Sequence, residues 1–250
     1  RRGDIERAVE ATRPDVIINP AAYTAVDRAE TEREMAFAIN RDGARNVALV
    51  AAQHAIPLIH LSTDYVFDGE KEGAYLESDA PNPRTAYGAS KLAGEKAVAE
   101  VHSRSIVLRT SWVYAPYGGN FVRTMIRVAA RNQPLSVVND QVGCPTYAPD
   151  LARTILAIIA RAETVGWPER LFGVLHASGA DRTTWFEFAR QLMTMLEEVG
   201  GPSVNVDPIP TSEYPTLAQR PRNSTLSCER LKTHFGLSLS SLASSLDACI

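Results

Sequence analysis

The chain has 250 residues, 45% of them hydrophobic, enough for one large domain or two unequal lobes around a buried core. Charged residues make up 22%, the formal net charge is -3, and neither sign forms long blocks, so no nucleic-acid or membrane-surface partner is expected. Three widely spaced cysteines (Cys144, Cys228 and Cys249), with no Cys-x-x-Cys, argue against a disulfide framework or structural zinc and point to a reducing cytoplasm.

The polar stretch after Arg1-Arg2 is unlike an export signal and predicts a helix over Asp4–Arg13. "DVIINPAA" is apolar, β-branched and closed by a proline, so it predicts a buried strand and then a loop. A long helical stretch follows from Thr31 to Ala55, with a break or bend near Asn40–Gly43. "PLIHLSTD" predicts a second strand, the prolines at 81 and 83 a loop, and Thr85–Val101 a helix. "SIVLRTSWVY" predicts a third strand, "NFVRTMIRVAARN" a helix, "LSVVND" a short strand, "APDLARTILAIIARAE" a helix and "FGVLHAS" a strand. Helices over 184–199 and 227–235 close the series, joined by a proline-rich connection. No apolar run reaches the roughly 18–20 residues of a membrane span.

Strands alternating with helices of this length indicate an α/β fold with a largely parallel, Rossmann-like sheet. The alternation loosens near residue 140, which divides the chain into a dinucleotide-binding region over 1–142 and a smaller α+β substrate lobe over 143–250. The strand near 172–178 is expected to rejoin the main sheet. Ligands of such sheets lie beyond the C-terminal strand ends. Three polar-aromatic clusters fall there: "NPAAYT", "STDY" and "TSWVY".

Tyr87 and Lys91 stand four apart on one face of a predicted helix. With 8 tyrosines and only four lysines in the chain, chance supplies about 0.13 such pairs. A phenol titrates near 10, and an adjacent ammonium is expected to lower that value and make Tyr87 an acid able to protonate a carbonyl oxygen. Ser62 and Thr63 end a strand at the ligand edge, where a hydroxyl can bind the same carbonyl. The plainer alternatives are a solvated helix face for the pair and a self-capped turn for the hydroxyls.

Tyr-x-x-x-Lys on a helix, after a strand ending in Ser/Thr, resembles the short-chain dehydrogenase/reductase superfamily. Six ordered blocks between Asn19 and Leu226 ("NPAAYTAVDRAE", "STDYVFDG", "YGASKLAGE", "RTSWVYAPYGGNF", "NDQVGCPTYAPDLA" and "RPRNSTL") are similar to the dTDP-4-dehydrorhamnose reductase family of its extended branch. The resemblance implies reduction of the 4-keto group of a dTDP-6-deoxy-hexulose with NADPH or NADH, in the supply of dTDP-rhamnose for cell-surface polysaccharide. It also implies a nucleotide-sugar substrate as partner, with a homodimer as a further possibility. It assigns Tyr87 as proton donor, Lys91 as its tuning group and ribose ligand, and Thr63 as the hydrogen-bond donor to the keto oxygen. Asp64 and Trp112 match sugar contacts, Asp4 and Ile5 a segment near the adenine, and Ala22, Tyr23 and Thr24 the loop beside the cofactor's phosphates and ribose. Asn120, Arg220 and Arg222 match positions suited to the diphosphate.

Two departures qualify the resemblance. No Gly-rich turn precedes "DVIINPAA", so the turn that cradles the pyrophosphate, with about 45–50 residues of the pattern, is expected to be absent from this chain. Some family members hold magnesium through a glutamate where this chain has Pro149, so no metal is expected. A dehydratase of the same superfamily carries Asp-Glu after the strand-end Thr, whereas Asp64 is followed here by Tyr65. The rivals from other classes are a non-catalytic subunit resembling the regulatory subunit of methionine adenosyltransferase, and an inactive fragment.

Overall fold

The computed structural model describes residues 1–250. Helix α1 (Arg2–Thr12) leads into strand β1 (Ile17–Asn19), then helices α2 (Val26–Thr31), α3 (Arg33–Phe37) and α4 (Ala44–Gln53). Strand β2 (Leu58–Thr63), helix α5 (Ala86–Val101) and strand β3 (Ser105–Thr110) follow. The chain continues through β4 (Val113–Tyr114), α6 (Phe121–Ala129), β5 (Leu135–Val138), β6 (Val142–Gly143), β7 (Thr146–Tyr147), α7 (Ala148–Thr164) and β8 (Gly173–His176). It ends with β9 (Thr183–Thr184), α8 (Trp185–Glu198), β10 (Val206–Ile209), α9 (Glu229–Phe235) and α10 (Leu242–Asp247).

The main sheet has strand order β1-β2-β3-β8, all parallel. The central strands β2 and β3 are apolar and buried on both faces, which is why they read as near-continuous apolar runs, whereas β1, expected to be buried, is an edge strand that leaves Ile18 exposed. The parallel register carries Asn19 beside His60 and Thr63 beside Thr110, so the polar strand ends fall on one edge. As expected, β8 returns to this sheet.

Two larger cores form, each drawing on residues from both sides of the lobe boundary expected near 142. One joins Ile59, Ile106 and Leu108 of the sheet to Ile155 and Ile158 of α7 and to Leu231 and Phe235 of α9. The other gathers Tyr114, Val122, Leu135, Phe188, Leu192 and Leu246 under the paired strands β5 and β10. The boundary is therefore crossed repeatedly: α7, β8 and α9 pack on the main sheet although they lie beyond 143, while β4, α6 and β5 join the second core although they precede it.

The bend expected near Asn40–Gly43 is a π-helical stretch over Ala38–Gly43. Inserting one residue into the i→i−4 ladder turns the buried Asn40 inward. Its amide accepts from the Tyr23 N–H at 2.7 Å and donates to the Ser90 hydroxyl at 2.8 Å, tying the loop after β1 to helix α5. Gly88 and Gly94 let α5 lie against backbone: a Cβ at either would overlap the carbonyl oxygen of Tyr65 or Asn40. The predicted strand 105–114 breaks at Ser111-Trp112, where Trp112 takes φ 48°. Helices α2 and α10, strand β10 and the two-residue strands β6, β7 and β9 were not expected from the sequence. No helix is long and apolar enough to cross a membrane.

Candidate functional site

Thr85 caps α5 by accepting from the Gly88 N–H at 3.0 Å, which starts the helix at Ala86 and fixes Tyr87 and Lys91 in its first turns. Thr63 ends β2, and its hydroxyl donates to Asp64 Oδ1 at 2.9 Å while accepting from the Tyr65 N–H at 3.2 Å. The hydroxyl thus caps its own turn and also faces the Tyr87 phenol. Ser62, one residue earlier, points the opposite way, as strand alternation requires, and donates to Glu95 at 2.5 Å. The structure therefore singles out Thr63 from the two candidate hydroxyls.

The expected coupling of Lys91 to Tyr87 is not what the geometry shows. The phenol is held above its ordinary value, chiefly by loss of hydration at its hydroxyl end, with Thr63 pulling the other way and the Asp64 charge adding to the rise. The Lys91 ammonium, 2% exposed, instead donates to the Leu61 carbonyl at 2.6 Å. Burial lowers Lys91 to about 8, opposed by the Glu95 carboxylate one turn on. Tyr87 is accordingly a phenol that keeps its proton throughout the neutral range, suited to giving that proton to a strongly basic alkoxide.

Charge is compensated beneath this pair. Arg109 of β3 grips Glu95 through Nε at 2.9 Å and Nη2 at 2.7 Å, with side chains 3% and 5% exposed. His60, fully buried, meets the Asn19 amide at 3.1 Å; burial and the Lys91 charge push it down to about 3, so it is neutral. Asp64 is also buried, which lifts its carboxyl to about 6 against the restraint of the Ser224 and Thr63 hydroxyls, and its Oδ2 lacks a hydrogen-bond partner.

Tyr65 connects this acid end to an open cavity of about 360 Å³. Its ring meets that of Tyr87 edge-on with centroids 5.5 Å apart, and it lines the cavity with Asp27, Phe121, Trp185 and Arg220. Trp112 stacks on Trp185 at 3.6 Å between centroids and lies over Gly143, where a side chain would displace it. Arg220 donates to Tyr65 Oη at 3.0 Å and to Asp27 Oδ2 at 2.5 Å. Tyr23 packs with Tyr87 against Ala29, Ala36 and Ala86, which brings the Ala22–Thr24 loop to the same end of the sheet.

The remaining expectations have other surroundings. Asn120 caps α6: its oxygen accepts from the Arg123 N–H, and its amide donates to the Ala115 and Tyr117 carbonyls. With both amide hydrogens engaged, it offers no free donor to a diphosphate, a structural use the sequence did not separate from the binding one. Arg222 is exposed and contributes its carbonyl to the Val142 N–H. Asp4 pairs with Arg7 on α1, and with Ile5 it lines a separate groove of about 370 Å³ beside Ile17, Ile18 and Val47. The sequence reading overlooked Asp27, Tyr65, Glu95, Arg109 and Trp185. Four of these stand inside the quoted blocks, but their partners lie far along the chain.

The RmlD substrate binding domain family matches residues 2–250. The chain is 45% identical over 238 residues to the dTDP-4-dehydrorhamnose reductase of Sinorhizobium fredii, covering 95% of this chain and 80% of that protein. The chain belongs to the dTDP-4-dehydrorhamnose reductase family. The Escherichia coli K12 reductase is 40% identical over 237 residues, with 94% of this chain and 78% of that protein covered. Among solved structures, the Bacillus anthracis reductase in complex with NADP superposes with a TM-score of 0.91 at 39% identity, over 100% of this chain and 84% of that one. The chain thus spans about four-fifths of these relatives.

Proposed function

We infer that the chain carries the acid and sugar-binding machinery of an NAD(P)H-dependent reductase that converts dTDP-4-dehydro-rhamnose to dTDP-rhamnose. One observation carries this reading: Thr63 faces Tyr87 at the C-terminal edge of one parallel sheet, with Lys91 one turn further along α5, beside a cavity that Tyr65 joins to the phenol. When bound, the nicotinamide cofactor supplies hydride to the sugar's C4. Thr63 turns its hydroxyl proton from Asp64 to the keto oxygen, and Tyr87 delivers its own proton as negative charge develops there. The Lys91 ammonium, held by the Leu61 carbonyl, is assigned to the nicotinamide ribose rather than to the phenol. A cytoplasmic location agrees with the three free cysteines.

The residues fit one half of the cofactor. The Ala22–Thr24 loop, held by Asn40, and the Tyr87–Lys91 pair suit a nicotinamide-ribose end. Within these 250 residues no Gly-rich turn precedes β1 to hold the pyrophosphate. Asp64 and Trp112 are assigned to the sugar and Arg220 to the diphosphate.

The test is reduction of the 4-keto sugar followed through loss of NADPH absorbance. Tyr87→Phe should lower turnover by about 10²–10⁴-fold, the usual worth of a positioned general acid. Turnover equal to that of the parent chain would remove Tyr87 from the reaction and favour a non-catalytic role.

A further inference from the structure

Between β10 and the Asn223 turn, the chain crosses the mouth of the cavity as an extended strap. One end is fixed at Thr211, whose N–H and hydroxyl both donate to the Asp140 carboxylate at 2.6–3.1 Å. The other is fixed where Arg222 accepts from the Val142 N–H at 2.8 Å. Between these anchors the strap leaves Tyr214 at 59% and Leu217 at 73% exposed, while Ala218 is buried. Its hydrogen bonds to the rest of the molecule over 214–221 converge on two residues. Asp27 accepts from the Ala218 N–H at 3.1 Å and from Arg220 Nη2 at 2.5 Å, and Tyr65 accepts from Arg220 Nη1 at 3.0 Å.

Asp27 and Arg220 both line the cavity, and their side chains are 39% and 23% exposed. A half-exposed ion pair of this kind contributes little net stability. A diphosphate carries more charge than a carboxylate and offers the guanidinium the same two-pronged geometry. Asp27 holds the place that an anionic ligand of Arg220 would take.

We propose that Asp27 is a resident carboxylate competitor: it occupies Arg220 while the cleft is empty, and the diphosphate of the nucleotide sugar displaces it. This rests on the reading of the cleft as a nucleotide-sugar site and adds to it a residue that sets substrate affinity without contacting the reacting atoms. Asp27 keeps the arginine extended and the strap closed, at the expense of affinity. Neutral sugars, with no charge to offer the guanidinium, would leave the pair intact.

The experiment is calorimetric titration of the whole chain with thymidine diphosphate, without cofactor. Asp27→Asn should tighten binding about three- to fivefold, the size of a half-exposed pair converted to an affinity ratio. Arg220→Met should weaken it, and Asp27→Asn should give no gain in the Arg220→Met background. A gain of affinity is not what a merely structural residue would show on substitution. Unchanged or weaker binding in Asp27→Asn overturns the proposal, as does a gain that persists without Arg220, which would make Asp27 a source of general repulsion. If thymidine diphosphate binds to none of these proteins, the nucleotide-sugar reading of the cavity fails together with the proposal. Binding by the parent chain with no response to Asp27→Asn sinks the proposal alone.

Discussion

Two ion pairs flank the proposed acid. Glu95 of α5 and Arg109 of β3 are joined between helix and sheet with side chains 5% and 3% exposed, closed by a bidentate contact and by Ser62. Asp27 of α2 and Arg220 of the strap line the cavity at 39% and 23% exposure, and the strap has few other ties. The chemistry of the partners is the same, but hydration gives them different work. The buried pair cannot be opened without stranding a charge in the protein interior, so it serves as a fixed floor under Thr63 and Lys91. The half-exposed pair opens at small cost because water takes over both charges, so it can be exchanged for a ligand.

The contrast breaks most readily at the floor. Arg109→Met leaves the Glu95 carboxylate buried beside Ser62, and the expected loss is about 3–5 kcal/mol of unfolding free energy in urea. A loss below about 1 kcal/mol would show that the pair is better hydrated than its burial implies. Asp27→Asn, measured the same way, should change stability by less than about 1 kcal/mol. If the two substitutions cost the same, the distinction between floor and strap fails.

A subtler effect concerns pH. Lys91 titrates near 8 in the fold because burial disfavours its charge, whereas an unfolded lysine holds its proton to about 10.4. Between those values the unfolded chain binds more protons, so the Lys91 contribution to stability rises with pH through that window. Activity should move the other way, falling as pH climbs through about 8 and the ammonium is lost. Subtracting the profile of Lys91→Met isolates the stability effect; a difference that is flat or falls across the window would contradict the burial of a charged Lys91.

Much of the fold was legible because its strands and long helices carry their own periodicity. "PLIHLSTD" and "SIVLRTS" are apolar enough to be strands wherever they lie, and Thr85 marks the start of α5 by its cap. The two-residue strands β6 and β9 pair Val142 with Thr184 and Gly143 with Thr183, and no local pattern announces a pairing over such a separation. The site divides in the same way. Tyr87, Lys91 and Thr63 are nominated by spacing and strand-end placement, both local. The effect of Lys91 on the phenol was misjudged because the Leu61 carbonyl that holds the ammonium is supplied by the neighbouring strand. Asn120 illustrates the opposite difficulty: an asparagine before a helix suits a cap as well as a ligand, and only its three short-range bonds decide between them. Asp27 and Arg220, 193 residues apart, could not be joined by any sequence pattern.

The account turns on Tyr87 as the proton source. Single-turnover reduction of the 4-keto sugar by the parent chain and by Tyr87→Phe, with NADPH in excess, measures that role directly. A fall of about 10²–10⁴-fold in the hydride-transfer rate, with thymidine diphosphate affinity unchanged, is the predicted result. Equal rates in the two proteins would contradict it.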